Sequence, residues 1–361
     1  MKKSKFFLII AMMLVALVAF AACSNDSGSA GAPAETPAET PAEEESGASD
    51  TVYTVKISHV VPETDVIHKA YLELEAKLEE SGRFDVTIYP NRQLSNSNAE
   101  DAEKVMANIV QIAAAPTSVL AGSGNVKEMQ IFDYPYLFDN NEELYYCMDN
   151  GLTEYLSQKL ADSCGIVIKG CVNGGWCPIS DNIPYYTPDD MKGRLIRILN
   201  SEMYMKILDS WGAVGTPIAW GETFTALQQG TVDGLLTSFP AWYSDRFTEV
   251  QDYLMLLHPV PIIHMTMVSE EFYNSLDDEA KVLFDEAMAL YDQSMREYRA
   301  QESADCLERY RGGLINTIEY TEEELQPFKD ATAWMLEETE TVGEECMEYT
   351  QSLLTEYSAG K

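Results

Sequence analysis

Residues 187–234 read TPDDMKGRLIRILNSEMYMKILDSWGAVGTPIAWGETFTALQQGTVDG. An apolar, β-branched run (RLIRIL, 194–199) is followed by a helically periodic run closed at Gly212, then by AVGTPI, by GETFTALQQG stopped at Gly230, and by TVDGLLTS. That order predicts strand, helix, strand, helix, strand. Parallel strands need crossover connections, so the stretch describes an α/β sheet covered by helices. RLIRIL also raises a chemical question. Alternation along a strand sends Arg194, Ile196 and Ile198 to one face and Leu195, Arg197 and Leu199 to the other. Arg197 is thereby flanked by leucines, a costly place for a charge without a partner. Either a carboxylate of this chain meets it, or one from outside does.

The same alternation extends towards the N-terminus. TVKISHVV, FDVTIYP and IVQIAAAP read as strands, separated by helices in DVIHKAYLELEAKLEES and NSNAEDAEKVMAN. Ligands of such sheets sit beyond the carboxyl ends of the strands, which here means His59 to Glu63 and Pro116 to Ser118. GIVIKGCV (165–172) opens a second unit of similar build, so two α/β lobes are expected. The first spans roughly 51–176 plus 258–290 and the second roughly 177–257 plus 291–358. Residues 277–313 carry an apolar period long enough to reach across both lobes. A last helix is expected from about Thr321 to Glu356. Two lobes with a cleft between them favour binding over catalysis.

The ends and the composition narrow the class further. Residues 1–22 combine three lysines, an apolar run and small residues, the pattern of a secretory signal peptide. Phe20-Ala21-Ala22-Cys23 resembles the lipobox of bacterial lipoproteins, which implies lipid on Cys23. Residues 23–50 repeat PAET and hold no aromatic residue, so an acidic, disordered tether is expected. The chain has 24 basic and 59 acidic residues; without the three leader lysines the balance is 21 against 59, a net charge of −38. That balance argues against nucleic acid and anionic lipid surfaces as partners. A local arginine still dominates inside a cleft, because salt screens the global field within about 8 Å. Six cysteines besides Cys23 and four scattered histidines form no metal-binding spacing, and disulfide pairing stays open. No metal or cofactor is expected, and GSGN (122–125) is a turn rather than a phosphate loop.

Several separate stretches resemble the solute-binding proteins of tripartite ATP-independent periplasmic (TRAP) transporters, the DctP type, through most of residues 53 to about 345. They are VKISHVVPETDVIHKA, FDVTIYPNRQL, IFDYPYLFDNNEEL and the stretch quoted at the outset. The resemblance implies a two-lobed periplasmic-binding-protein-like fold, a long helix bridging both lobes, and closure over a small organic acid. It implies that Arg197 pairs with the ligand carboxylate and that Trp220 lies against the ligand, while Glu222 behind it is a helix-start residue. Partners would be the membrane subunits of a TRAP transporter. Two departures stand out. Where many members have Gly-aromatic-Arg, this chain has Gly175, Trp176 and Cys177, and where members often have Glu-Asn it has Leu236 and Thr237. The lost polar groups point to a monocarboxylate with an apolar or aromatic body, walled by Trp176 and Trp220, with Thr237 giving one hydrogen bond. Phe239, Trp242 and Tyr243 are either further wall or helix core, and His59 either faces the cleft or is structural. Two rival readings remain: an extracellular hydrolase, for which neither GxSxG nor HExxH is present, and an ABC-type or sensory binding lipoprotein.

Overall fold

The computed structural model describes residues 51–361, which form one compact unit. The expected leader, Cys23 and tether lie outside the described residues. Among the described residues eleven strands build two sheets. β1 (Tyr53–Ser58), β2 (Phe84–Tyr89), β3 (Ile112–Pro116), β4 (Ile166–Trp176) and β10 (Pro261–Ser269) make the first, in the order β2-β1-β3-β10-β4. β5 (Ile179–Asp181), β6 (Leu195–Ile198), β7 (Val214–Pro217), β8 (Gly234–Leu236), β9 (Tyr253–Met255) and β11 (Asn316–Ile318) make the second, in the order β11-β9-β5-β8-β6-β7.

Local chemistry explains most of these elements. In the helix Val66–Glu80, Asp65 caps the start by accepting from the Ile67 N–H, and Ile67, Tyr71, Leu74 and Leu78 form the buried stripe. Ser97 and Ser201 cap the helices Asn98–Met106 and Glu202–Ser210 in the same way. β3 is built from small residues because it lies mid-sheet, parallel to β1 and antiparallel to β10. Gly234 has a packing reason: β8 runs between β5 and β6, and a Cβ there would stand 2.2 Å from the Ser180 carbonyl oxygen.

The chain passes from the first sheet to the second between Trp176 and Ile179 and returns between Met255 and Pro261. The two crossings lie side by side, joined by a 3.0 Å bond from the Cys177 N–H to the Val260 carbonyl. The helix Asp278–Arg309 is the third link. Its first half packs Phe284, Met288, Tyr291 and Met295 on the first sheet, and its last turns carry Cys306 into the cluster of Leu235, Trp242 and Leu254 in the second lobe. The single C-terminal helix expected from the sequence is broken instead. Helix Glu322–Thr332 gives way to a tighter turn at Ala333–Glu337, and helix Glu344–Ala359 starts after Gly343, whose φ of +82° no other residue type adopts readily. This last helix packs on the helix Asn141–Cys147, with Tyr357 Oη donating to Glu142 at 3.0 Å. All six described cysteines are free thiols. Among the described residues no helix is long and apolar enough to cross a membrane, and no group of three or more His, Cys, Asp or Glu residues is placed to hold a metal.

Candidate functional site

β6 brings its two arginines into opposite situations. Arg194 is consumed internally: Nε bonds Asp181 at 3.0 Å, Nη2 pairs with the same carboxylate, and Asp233 lies at 3.5 Å. Arg197 is 1% exposed, yet among the described residues it has no carboxylate partner. Its Nε and Nη2 both donate to the Ile218 carbonyl, at 3.0 and 2.8 Å, while Nη1 is buried with no hydrogen-bond partner. Burial pulls its pKa down to about 10, so the group is still a cation at neutral pH. The apolar setting read for it is only partly present, since Leu195 on the same face is 38% exposed. Buried charges are ordinarily paired. An unpaired guanidinium of this kind lacks an anion.

Trp220 opens the helix Trp220–Gln228 and puts its ring 5.2 Å from the Arg197 guanidinium carbon, a cation–π contact. Phe247 meets the indole edge-on at 5.5 Å and holds it there. The helix start has no side-chain cap, and Glu222 sits in its first turn. Thr237 is buried one residue beyond β8, the strand that pairs with β6.

Cys177 is fully buried near Asp133 and Tyr204, and desolvation drives its thiol pKa well above the ordinary value. Asp133 accepts from Ser201 Oγ at 2.8 Å and from the Tyr204 hydroxyl. Tyr204 in turn feels the charge of Arg197. Burial pushes the Asp133 pKa from 3.8 to about 7, with the two hydroxyls opposing the shift. The folded chain therefore holds a proton there that the unfolded chain releases between those values. Stability from this group is full below pH 3.8 and declines as the pH rises towards 7. Asp133→Asn removes that decline: calorimetry should show the variant melting a few degrees above the parent at pH 8 and level with it at pH 4.

The other expected residues lie elsewhere. Trp176 donates from Nε1 to Asn141 at 3.0 Å. It lines a cavity of about 910 Å³ with Phe239, Tyr145, His258 and the bridging helix, and none of Arg197, Trp220, Thr237, His59 or Glu63 shares that lining. His59 is buried, with Nε2 3.0 Å from His68 Nδ1 and its ring stacked on Tyr71. Burial and the neighbouring His68 lower its pKa to about 4. Glu63 is exposed in the loop after β1. Trp242 is core, set edge-on against Tyr310, and Tyr243 accepts from Arg309 at 2.6 Å. Sequence reasoning missed Asp133, Ser201 and Tyr204, whose meeting joins segments about seventy residues apart.

Comparison with known proteins identifies the family. The model of the "bacterial extracellular solute-binding protein, family 7" (DctP) matches residues 57–341. The C4-dicarboxylate-binding periplasmic protein DctP of Rhodobacter capsulatus is 28% identical over 279 residues, covering 77% of this chain and 78% of that protein. The 2,3-diketo-L-gulonate-binding periplasmic protein YiaO of Escherichia coli is 23% identical over 289 residues, covering 79% and 86%. Among solved structures, a TRAP periplasmic solute-binding protein of Sulfurospirillum deleyianum with bound succinate superposes with a TM-score of 0.77 at 26% identity, covering 84% of this chain and 99% of that one. A two-sheet fold, a helix spanning both lobes and a match over most of the described residues place this chain among the extracytoplasmic, non-enzymatic solute-binding proteins of the DctP family that serve TRAP transporters.

Proposed function

We propose that the chain captures a small organic acid in the cleft between its lobes by pairing the acid's carboxylate with Arg197, and delivers it to the membrane subunits of a TRAP-type transporter. The observation that carries this reading is the buried Arg197 with its unpartnered Nη1, set against Trp220. A guanidinium offers a planar fork that matches a carboxylate, and the bond gains strength away from water. Trp220 gives the acid an apolar wall, and Thr237 supplies a hydroxyl. The finer proposal is a monocarboxylate with an apolar or aromatic body. Its support is the resemblance, which sets Cys177, Leu236 and Thr237 at positions where many members of the family carry polar or charged groups. Relatives bind varied acids: succinate, L-malate and D-erythronate are held in solved structures of other members.

The test is the melting temperature of the chain with butyrate, phenylacetate, succinate, L-malate and D-erythronate in turn. A rise with phenylacetate or butyrate that exceeds the rise with succinate supports the monocarboxylate. The reverse order removes the apolar-body reading and leaves Arg197 in place. Lipid on Cys23, with residues 23–50 as a tether, would keep the site near the membrane. Cys23→Ser should then move the protein from the membrane fraction to the medium, and retention in the membrane would sink the anchor.

A further inference from the structure

Arg92 belongs to the first lobe but reaches the second. It sits in the turn Pro90-Asn91-Arg92-Gln93 that follows β2, where Asn91 and Arg92 both take left-handed backbone angles, with φ of +52° and +64°. For arginine that conformation is uncommon and marks a position held by its surroundings. The turn is tied to the end of β1 by bonds from the Asn91 N–H to the Val61 carbonyl (3.1 Å) and from the Arg92 N–H to the His59 carbonyl (3.4 Å). From there the side chain crosses the cleft, and its Nε lies 3.9 Å from where a Cβ on Gly221 would stand. Among the described residues its guanidinium takes part in no ion pair or side-chain hydrogen bond. Asp245 feels its charge, but the two do not reach ion-pair distance.

Gly221 is the second residue of the helix Trp220–Gln228, whose start has no side-chain cap. A helix start presents free N–H groups and a partial positive charge. The independent sign that an anion belongs here is Arg197, nine-tenths and more buried, with Nη1 unpartnered beside Trp220. Two guanidinium groups from opposite lobes therefore flank the same uncapped helix start, and among the described residues neither is in ion-pair contact with a carboxylate, Asp245 being the acid that Arg92 influences from farther off.

We propose that Arg92 is the first lobe's half of the ligand site, a specificity-determining cation that closes on the carboxylate held by Arg197 and the start of the helix Trp220–Gln228. This rests on the reading of Arg197 given above. The physical consequence is a link between capture and closure. With the cleft empty, the two cations repel, and the only inward pull on Arg92 identified among the described residues is that of Asp245, beyond ion-pair distance. An anion between them reverses the sign of that interaction. Selectivity follows too, because an uncharged isostere of the acid would leave both cations uncompensated. Gly221 completes the arrangement by letting the guanidinium lie against helix backbone.

Calorimetric titration of the full chain with succinate, D-erythronate and phenylacetate, paired with small-angle scattering, tests this. Arg92→Gln should raise the Kd of each acid that the parent binds by at least 30-fold and abolish the acid-induced fall in radius of gyration. The melting temperature without acid should stay close to the parent's. Arg92→Lys should recover part of the affinity, and Gly221→Val, which crowds Arg92, should weaken binding in the same direction. Parent-like affinity and compaction in Arg92→Gln, with binding lost in Arg197→Ala, would overturn the role of Arg92 and leave the Arg197 reading intact. Rescue of Arg92→Gln by Asp245→Asn would also overturn it, because Arg92 would then be a latch to Asp245. Failure of all three acids to bind the parent, or retained binding in Arg197→Ala, would remove the Arg197 reading and this inference with it.

Discussion

Arg197→Ala is expected to eliminate the acid-induced rise in melting temperature, whichever acid of the panel produces it. Truncating one side of a desolvated, hydrogen-bonded charge pair costs about 2–5 kcal/mol of binding. At about a thousand times its Kd an acid stabilises the parent by roughly 4 kcal/mol, which corresponds to several degrees of melting temperature. A loss of that size removes most of the shift at the same concentration. The unliganded protein supplies the control. Among the described residues Arg197 has no carboxylate partner, so its removal breaks no salt bridge there and leaves no orphaned acid. Arg197→Met, which keeps volume and removes the charge, should therefore melt at or above the parent in the absence of acid. A sharp drop for Arg197→Met, together with an unchanged acid response, would mean that the arginine serves the fold.

The contrasting case is Arg299, and Arg299→Ala is expected to destabilise the chain by about 3–5 kcal/mol, the range for breaking a buried ion pair from one side. Arg299 lies on the bridging helix and pairs with Asp65 at 3.1 Å; the side chains of both are 6% exposed. Nη1 also pairs with Glu302 at 2.5 Å. Asp65 is the cap of the helix Val66–Glu80, so the variant strands a buried carboxylate at that cap and removes one tie between the bridging helix and the first lobe. Glu302 would lose a partner as well, and burial already raises its pKa. Urea unfolding of the parent, Arg299→Ala and the double variant Arg299→Met/Asp65→Asn would resolve the terms. The double variant should recover much of the loss, because it leaves no unpaired charge. A loss below about 1 kcal/mol in Arg299→Ala would show the pair to be worth no more than an exposed one.

These two arginines show where sequence reading stops. Both occur in plain periodic surroundings, and nothing within a few residues of either shows that Arg299 meets the carboxylates of Asp65 and Glu302 while, among the described residues, Arg197 meets none. The same holds within RLIRIL. Arg194 meets Asp181 and Asp233 because β5 and β8 lie next to one another beside β6, a neighbourhood created by strand order. Trp176 and Cys177 are adjacent in sequence, but the extended backbone turns one towards the hinge-side cavity and the other towards Asp133 and Tyr204. Arg92 was unremarkable in PNRQL, since its significance depends on Gly221 arriving from the other lobe.

The sequence by itself determined the strand and helix order, the bridging helix and the family, because periodicity and turn chemistry act within a few residues. Only the tertiary structure decided which of 59 acids answer which arginines, which aromatic faces Arg197, and where the C-terminal helix breaks and docks. With acids in such excess, every arginine has candidate partners in the sequence. Coulomb attraction over a few ångströms selects among them only after the sheets have set those distances.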